Sequence, residues 1–458
     1  MLKKYAIIIL LFSILFPASV GAASEPIEEI RGYIRDYYIE DVPAEVLAKP
    51  TAKEITSYLD PYSVYMSFAE YQQFINAIDQ ELIGIGVVLE ENAKGVKILS
   101  VLPNSPAERA GVLPGDIITK VDGKSVAGIS IQTAITFISG DENTAVFLSI
   151  FREKTNESLE KSILREKIEI PNVEYEMLGG EIGYVRLNSF SQDSAEEILP
   201  AIQALKGAKG WIFDLRDNGG GYISAAQEVA GFFPNVKKAF QLRDKSNAIE
   251  VYDVIDQPNK FTSPTHLLIN GHSASASEMV SATVKEQKGA ILYGQNTYGK
   301  GVMQSLIQLS DNSVLKLTTA KFFSPKGTAI NKVGVAPDVK TAEGEELIAS
   351  HRDQLINALK GYKELSSLKN VPVTKTFTVK MSTPMNWTGL KASDVGLIQL
   401  GGKEVEVDLK VVDDKTIKII PKQKLESKGQ YLLAIHPNWT GKRKGKMLNG
   451  TYLEVSVE

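Results

Sequence analysis

At 458 residues, 43% apolar and 23% charged, the chain is long enough for about three domains with cores of their own. Its 55 acidic and 51 basic residues are interspersed and leave a net charge of −4, and no basic stripe with interleaved aromatics marks a nucleic-acid surface. The absence of cysteine excludes disulfides, a lipoprotein anchor, a thiol nucleophile and thiolate metal sites; the four histidines lack metal-ligand spacing, so neither metal nor cofactor is expected.

Lys3 and Lys4 precede an apolar run from Tyr5 to Phe16, and small residues follow up to Ala23. That order predicts a secretory signal peptide over residues 1–23, cut after Ala22 or Ala23, and hence an exported, extracytoplasmic protein. The run is shorter than the ~20 residues that span a bilayer, which leaves an uncleaved anchor as the alternative. Residues 24–77 read as helical, with breaks at Pro43 and Pro50. Ile27, Ile30, Tyr33 and Ile34 form the stripe of an ordinary packing helix, and Leu59-Asp60-Pro61-Tyr62-Ser63 reads as a helix stop and turn.

Residues 78–155 carry a Gly-x-Gly loop at Ile83-Gly84-Ile85-Gly86-Val87, then a strand at 96–101. Ser105-Pro106-Ala107-Glu108-Arg109-Ala110-Gly111 reads as one short helix with cap, N1 proline, capping-box glutamate and terminal glycine. Gly115-Asp116 and Asp122-Gly123 turn the chain around a strand at 117–121, and residues 131–138 read as a helix. This order resembles a PDZ domain. The resemblance implies that Ile83, Gly84, Ile85, Gly86 and Val87 bind a peptide's terminal carboxylate, through converging backbone N–H groups, while the peptide adds as a strand.

Residues 156–365 turn to βαβ patterning: apolar runs at 182–187 and 211–215 flank a helical stretch at 195–205, as in a parallel α/β core. The second run ends in Asp214-Leu215-Arg216-Asp217-Asn218-Gly219-Gly220-Gly221. Alone this is a flexible turn, and it lacks the Lys-Ser/Thr ending of a phosphate loop. Another strand-like run ends at Asn270-Gly271. Ser273, Ser275 and Ser277 then alternate with Ala274 and Ala276 into a helical pattern, and a short strand leads to Tyr298-Gly299-Lys300-Gly301. A serine hydroxyl needs a base beside it, and a lysine serves only when burial holds it neutral. Against this stands a plain capping box, Ser275-Ala276-Ser277-Glu278.

The Ser-Ala-Ser-Ala-Ser-Glu run, followed by Thr297-Tyr298-Gly299-Lys300-Gly301 and Gln304, resembles the carboxy-terminal processing (tail-specific) proteases; LDPYS at 59–63 recurs in that family. The resemblance implies that Ser275 is the nucleophile, Lys300 the general base and Gln304 the residue that orients it. It also makes the N–H groups of Gly220 and Ala276 the oxyanion donors, and in some members the N-terminal region dimerises. Two positions depart from the family: Gly219 stands where proline is common, and Ser139 stands where many members have an arginine linking the PDZ domain to the protease. A Ser-His-Asp triad using His272 is the chemical rival, but a histidine three residues before the serine would have to fold back sharply.

Residues 370–458 change texture to short alternating strands with Gly and Pro turns, a β-sandwich of immunoglobulin-like size resembling modules appended to exported proteins. Its basic cluster at 442–446 reads as a solvated turn before a cell-envelope contact. The expected architecture is therefore multidomain α/β: helical N-terminal segment, PDZ domain, α/β Ser-Lys protease core and C-terminal β-sandwich. The expected activity is exported serine endopeptidase acting on polypeptide C-termini. A non-catalytic tail-binding scaffold and an α/β hydrolase of small esters are the rivals.

Overall fold

The computed structural model describes residues 25–458 except Ser130, Ile170, Ser263 and Lys444. The expected signal peptide, residues 1–23, lies outside the described residues. No helix among the described residues is long and apolar enough to cross a membrane. The chain forms two compact units.

The smaller unit comprises described residues up to Phe68 together with residues 304–318. Its helices Ile27–Tyr37, Ala44–Leu47 and Ala52–Ser57 are separated near Pro43 and Pro50, where proline cannot continue a helix. Ile30 and Ile34, one helical turn apart, pack with Ile55, Leu315 and Leu317 in an apolar cluster. The segment, expected to be helical with breaks at Pro43 and Pro50 and a turn at 59–63, also forms a short strand, Val64–Met66, antiparallel to residues 314–316. A strand needs a ladder partner, and this one is supplied from some 250 residues away in the chain.

The larger unit begins at Ala69. Its PDZ portion is an antiparallel sheet of Val87–Asn92, Gly95–Val101, Ile117–Val121, Ala145–Arg152 and Glu157–Leu164, with helix Ile131–Ile138 packed on it through Ala134 and Ile138. The short helix Pro106–Arg109 forms as its cap predicts: Ser105 Oγ accepts the Glu108 N–H at 3.2 Å. Before and after this sheet, Glu81–Gly84 and Glu166–Glu169 pair antiparallel as a two-stranded ribbon.

The core sheet has the order Val173–Leu178, Ile182–Leu187, Gly210–Asp214, Thr265–Ile269, Ile291–Gly294, Val339–Lys340. Its first pair is antiparallel and the other four are parallel, as crossover connections require. Gly210–Asp214 and Thr265–Ile269 are buried throughout. Trp211, Phe213, Phe233 and Phe261 make ring contacts against the first of these, each pair adding about 0.5–1.5 kcal/mol beyond area burial. Both strands end at the same side of the sheet, and their following loops, after Asp214 and after Ile269, meet there.

Beyond helix Glu346–Ala358 lie a five-stranded sheet with Gln430–Ile435 and Thr451–Val457 at its centre and a three-stranded sheet of Phe377–Lys380, Thr416–Pro421 and Val407–Val411. Phe377, Leu397, Ile417, Ile419, Tyr431 and Leu433 share one buried cluster between them. Leu355 of the helix packs with Ile398, Leu400 and Leu432, and His351 accepts the Gly401 N–H at 2.9 Å while its other nitrogen donates to Gly179 O at 2.8 Å. The C-terminal sheets are thus fastened to the core by an imidazole that burial keeps neutral.

Candidate active site

The loop after Thr265–Ile269 is fixed residue by residue. Ser273 is fully buried; its hydroxyl donates to Leu215 O at 2.7 Å and accepts the Asn270 N–H at 3.0 Å. Ser277, also fully buried, donates to Asn218 O at 2.8 Å. Ser275, between them, is only partly buried. The alternation in the serine run therefore separates two buried structural hydroxyls from the partly buried Ser275.

Ser275 has φ 57° and ψ −113°, a combination that L-residues rarely adopt and that costs of order 1–3 kcal/mol. It stands between the strand and helix Ala276–Glu286. Its neighbours hold it there: the Ala274 N–H donates to Asn218 O at 3.0 Å, and the Ser275 N–H donates to Glu278 Oε2 at 2.9 Å.

Glu278 belongs to the capping box, but its reach is wider than a cap. It is fully buried, and Oε2 also accepts the Lys300 N–H at 2.8 Å. Oε1 accepts the Gly299 N–H at 2.7 Å and the Thr297 hydroxyl at 2.6 Å. One carboxylate oxygen thus receives the backbone amides of both Ser275 and Lys300, which lie 25 positions apart in the chain. The first turn of a helix suits a carboxylate, because its N–H groups carry the positive end of the dipole. Sequence reasoning left Glu278 as a cap; the S-x-x-E pattern was its only signal.

Gly220 has φ +105°, and a Cβ there would lie 2.8 Å from Ser275 Cβ, 2.9 Å from Ala274 O and 3.0 Å from Ala276 N. The fold thereby brings Gly220, Ser275 and Ala276 together. The Gly220 N–H donates to Asn218 Oδ1 at 2.9 Å. Asn218 is itself fully buried, donates to Leu187 O at 2.9 Å and accepts from Ala274 and Ser277. Gly220→Ala is expected to lower kcat on the order of 10–50-fold. Backbone atoms cannot give way as a side-chain tip can, and φ stays strained whatever the space. Wild-type kinetics in this variant would show that the loop tolerates displacement.

Gln304 lies in the smaller unit, where its Nε2 donates to Thr318 Oγ1 at 3.2 Å. His272 is exposed, and His266, which stacks on Tyr293 and pairs with Ser350, is pushed down to about 4 by burial. Asp214, fully buried, accepts from Arg216 and from Tyr184, and Arg216 also reaches Glu346 at 3.0 Å, which anchors the start of the glycine loop.

In the PDZ portion, Ile83 and Gly84 pair with Lys167 and Glu166 in the ribbon, and Ile85, Gly86 and Val87 follow. Ala107 and Leu102 N–H groups donate to Ile85 O and Gly86 O at 2.8 and 2.9 Å. A trans peptide sets N–H opposite C=O, so the Gly86 and Val87 amides turn away from those donors. Both chain connections of this portion converge on core residues 188–192. Ile78 O accepts the Ser189 hydroxyl at 2.6 Å and Asp79 the Gln192 N–H at 3.2 Å, while Asn172 Oδ1 accepts the Ser189 N–H at 2.8 Å. Phe190 in turn bonds Gly220 O and the Tyr222 N–H at 3.0 and 2.8 Å.

A family model described as peptidase family S41 matches residues 181–341, and a PDZ-domain model matches residues 97–152. Over 343 residues the chain is 35% identical to the carboxy-terminal processing protease CtpA of Bacillus subtilis (strain 168), covering 74% of this chain and 72% of that relative. It is 31% identical over 382 residues to a probable CtpA-like serine protease of Staphylococcus aureus (strain COL), covering 82% and 72%. The solved photosystem II D1 C-terminal processing protease aligns with 69% of this chain and 92% of its own, at 25% identity and a TM-score of 0.45.

Proposed function

Since the chain belongs to the carboxy-terminal processing serine proteases of peptidase family S41, we propose that it grips a substrate's C-terminal carboxylate with its PDZ domain and cuts with a Ser275–Lys300 dyad. The observation that carries the dyad is the shared Glu278 oxygen, which ties the serine's backbone to the lysine's. Ser275 Oγ attacks the scissile carbonyl carbon as the neutral Lys300 amine takes its proton; the amine then returns a proton to the leaving nitrogen as the C–N bond breaks. Water, deprotonated by the same amine, attacks the acyl carbon, and the ammonium returns that proton to Ser275 Oγ as the ester C–O bond breaks. Gln304 orients Lys300.

The N–H groups of Ala276 and Gly220 stabilise the oxyanion, each worth about 3–4 kcal/mol by analogy with measured donors. For Gly220 this requires its N–H to leave Asn218 Oδ1, where it now rests. The convergence of both PDZ connections on residues 188–192, next to Gly220, supports a coupling of tail capture to that exchange. Ile83, Gly84, Ile85, Gly86 and Val87 form the carboxylate turn.

Comparing a polypeptide ending in a free carboxylate with its carboxamide twin tests the capture step. Amidation is expected to raise KM roughly tenfold and move kcat less than about twofold, the scale of one lost charge-assisted hydrogen bond. Equal KM values would remove carboxylate capture from the reading.

An exported location is proposed from residues 1–23, and homodimerisation through the N-terminal helices. The buried cluster shared by the C-terminal sheets supports a β-sandwich of immunoglobulin-like size, with cell-envelope contact as its role. N-terminal sequencing of the secreted chain, sedimentation, and cell fractionation with and without residues 370–458 address these in turn.

A further inference from the structure

The glycine loop and the nucleophile turn are joined by a reciprocal pair of hydrogen bonds. Asn270 Oδ1 accepts the Asp217 N–H at 3.0 Å, and Asn270 Nδ2 donates to Asp217 Oδ1 at 2.8 Å. The same Asn270 oxygen accepts the His272 N–H at 3.1 Å. Backbone N–H groups only donate and a carboxylate only accepts, so these partners dictate which end of the amide faces which. Asn270 is buried, and its own N–H is taken by Ser273 Oγ at 3.0 Å.

We propose that Asn270 is a positioning residue for the reaction: its amide clasps Asp217 and thereby sets where the Gly220 loop stands relative to Ser275. The inference rests on Ser275 being the nucleophile and the Gly220 N–H an oxyanion donor. What the clasp must hold is the backbone of Asp217. Its φ of 62° lies in the left-handed region, which an L-residue keeps only where its surroundings impose it. That torsion aims the residues that follow. Asn218 O accepts the Ala274 N–H at 3.0 Å and the Ser277 hydroxyl at 2.8 Å, while Asn218 Oδ1 accepts the Gly220 N–H at 2.9 Å. Gly220 in turn stands so near the nucleophile that a Cβ on it would lie 2.8 Å from Ser275 Cβ. A small change of backbone torsion at Asp217 therefore moves Gly220 against Ser275.

The task at position 270 needs a side chain that accepts at one end and donates at the other. Asp217 is exposed, and Arg186 faces it from the strand Ile182–Leu187, its guanidinium 3.6 Å from Asp217 Oδ2. Arg186 also donates to Arg216 O at 3.2 Å and lies 3.8 Å from Asp214. Arg216 is turned to Asp214 and Glu346, and the His272 side chain is exposed.

Asn270→Asp keeps size and acceptor but sets a second carboxylate against Asp217, and two carboxylates that close must share a proton. At neutral pH kcat is expected to fall on the order of 10–100-fold, the scale of a misplaced catalytic group, with KM within about threefold. The ratio of its kcat to that of wild type should fall further as pH rises through roughly 5–8, where a shared carboxylate proton is lost, and recover on acidification. Asp217→Asn alone should stay within about threefold, because its carbonyl end can accept from Asn270 and only the long contact with Arg186 is lost. Joined to Asn270→Asp, it supplies the NH2 group that the new carboxylate lacks, and kcat should return to within about threefold of wild type. A merely local loss of stability would produce neither this reciprocal rescue nor the pH-dependent ratio. Should Asn270→Asp fail to fold, the double variant still decides: restored folding and kcat support the clasp, and an unfolded or inactive double variant removes it. Wild-type kcat in Asn270→Asp at every pH, with Ser275→Ala inactive, would overturn the role of Asn270 alone. Activity surviving in Ser275→Ala would overturn the nucleophile as well.

Discussion

Lys300→Ala is expected to lower kcat about 10⁴-fold or more, to match Ser275→Ala, and to show no further loss when the two are combined. The reason is chemical unity: without a base the hydroxyl is a poor nucleophile, and without the hydroxyl the base has nothing to deprotonate. Binding of a tailed polypeptide should survive in all three variants, because residues 83–87, proposed to hold the carboxylate, lie outside the core sheet. His272→Ala should stay within about twofold of wild type, since that side chain is exposed while a triad histidine must be held by a third group. Retained proteolysis in Lys300→Ala with loss in His272→Ala would reverse the assignment. Equal survival of substrate with wild type and Ser275→Ala would leave a protein that only holds tails. Activity is expected to rise with pH, because a charged amine cannot accept the serine proton.

Glu278→Gln should be nearly as damaging despite its matched size, lowering kcat by about 10²–10³-fold. Both carboxylate oxygens are occupied by two donors each. A carboxamide has one accepting end, so its NH2 must face either the Ser275 and Lys300 amides or the Gly299 amide and the Thr297 hydroxyl. Each buried donor left without an acceptor costs about 1–3 kcal/mol, and backbone N–H groups cannot rotate away. The loss falls on the two segments that carry Ser275 and Lys300, so it is expected in kcat as well as in melting temperature. Glu278→Ala, which orphans all of these donors and opens a cavity, should unfold at a markedly lower temperature still. A Glu278→Gln protein with wild-type kcat and melting temperature would show that the shared oxygen is incidental.

Much of this was legible locally. The βαβ period, the Ser105 cap with its N1 proline, and the order of strands and short helix in the PDZ portion are patterns within a few residues, so the sequence states them directly. The Ser-Lys-Gln spacing named a family, and the matched relatives bear that family out. The serine run was less transparent: three serines look alike in sequence, and only burial separates Ser273 and Ser277, bonded to backbone carbonyls, from Ser275.

The amino-acid sequence by itself determined which residue types are at hand and which short segments form helix, strand or turn, because caps, periodicity and turn chemistry act over one or two turns of chain. Tertiary structure decided what those residues face. It turned Glu278 from a cap into a junction with residues 297–300, placed the Gly220 amide on Asn218, gathered both PDZ connections at residues 188–192, and aimed Gln304 through Thr318 at Asp60. Hydrogen bonds are short and directional, so partners hundreds of positions apart become neighbours only once the sheets have set their register.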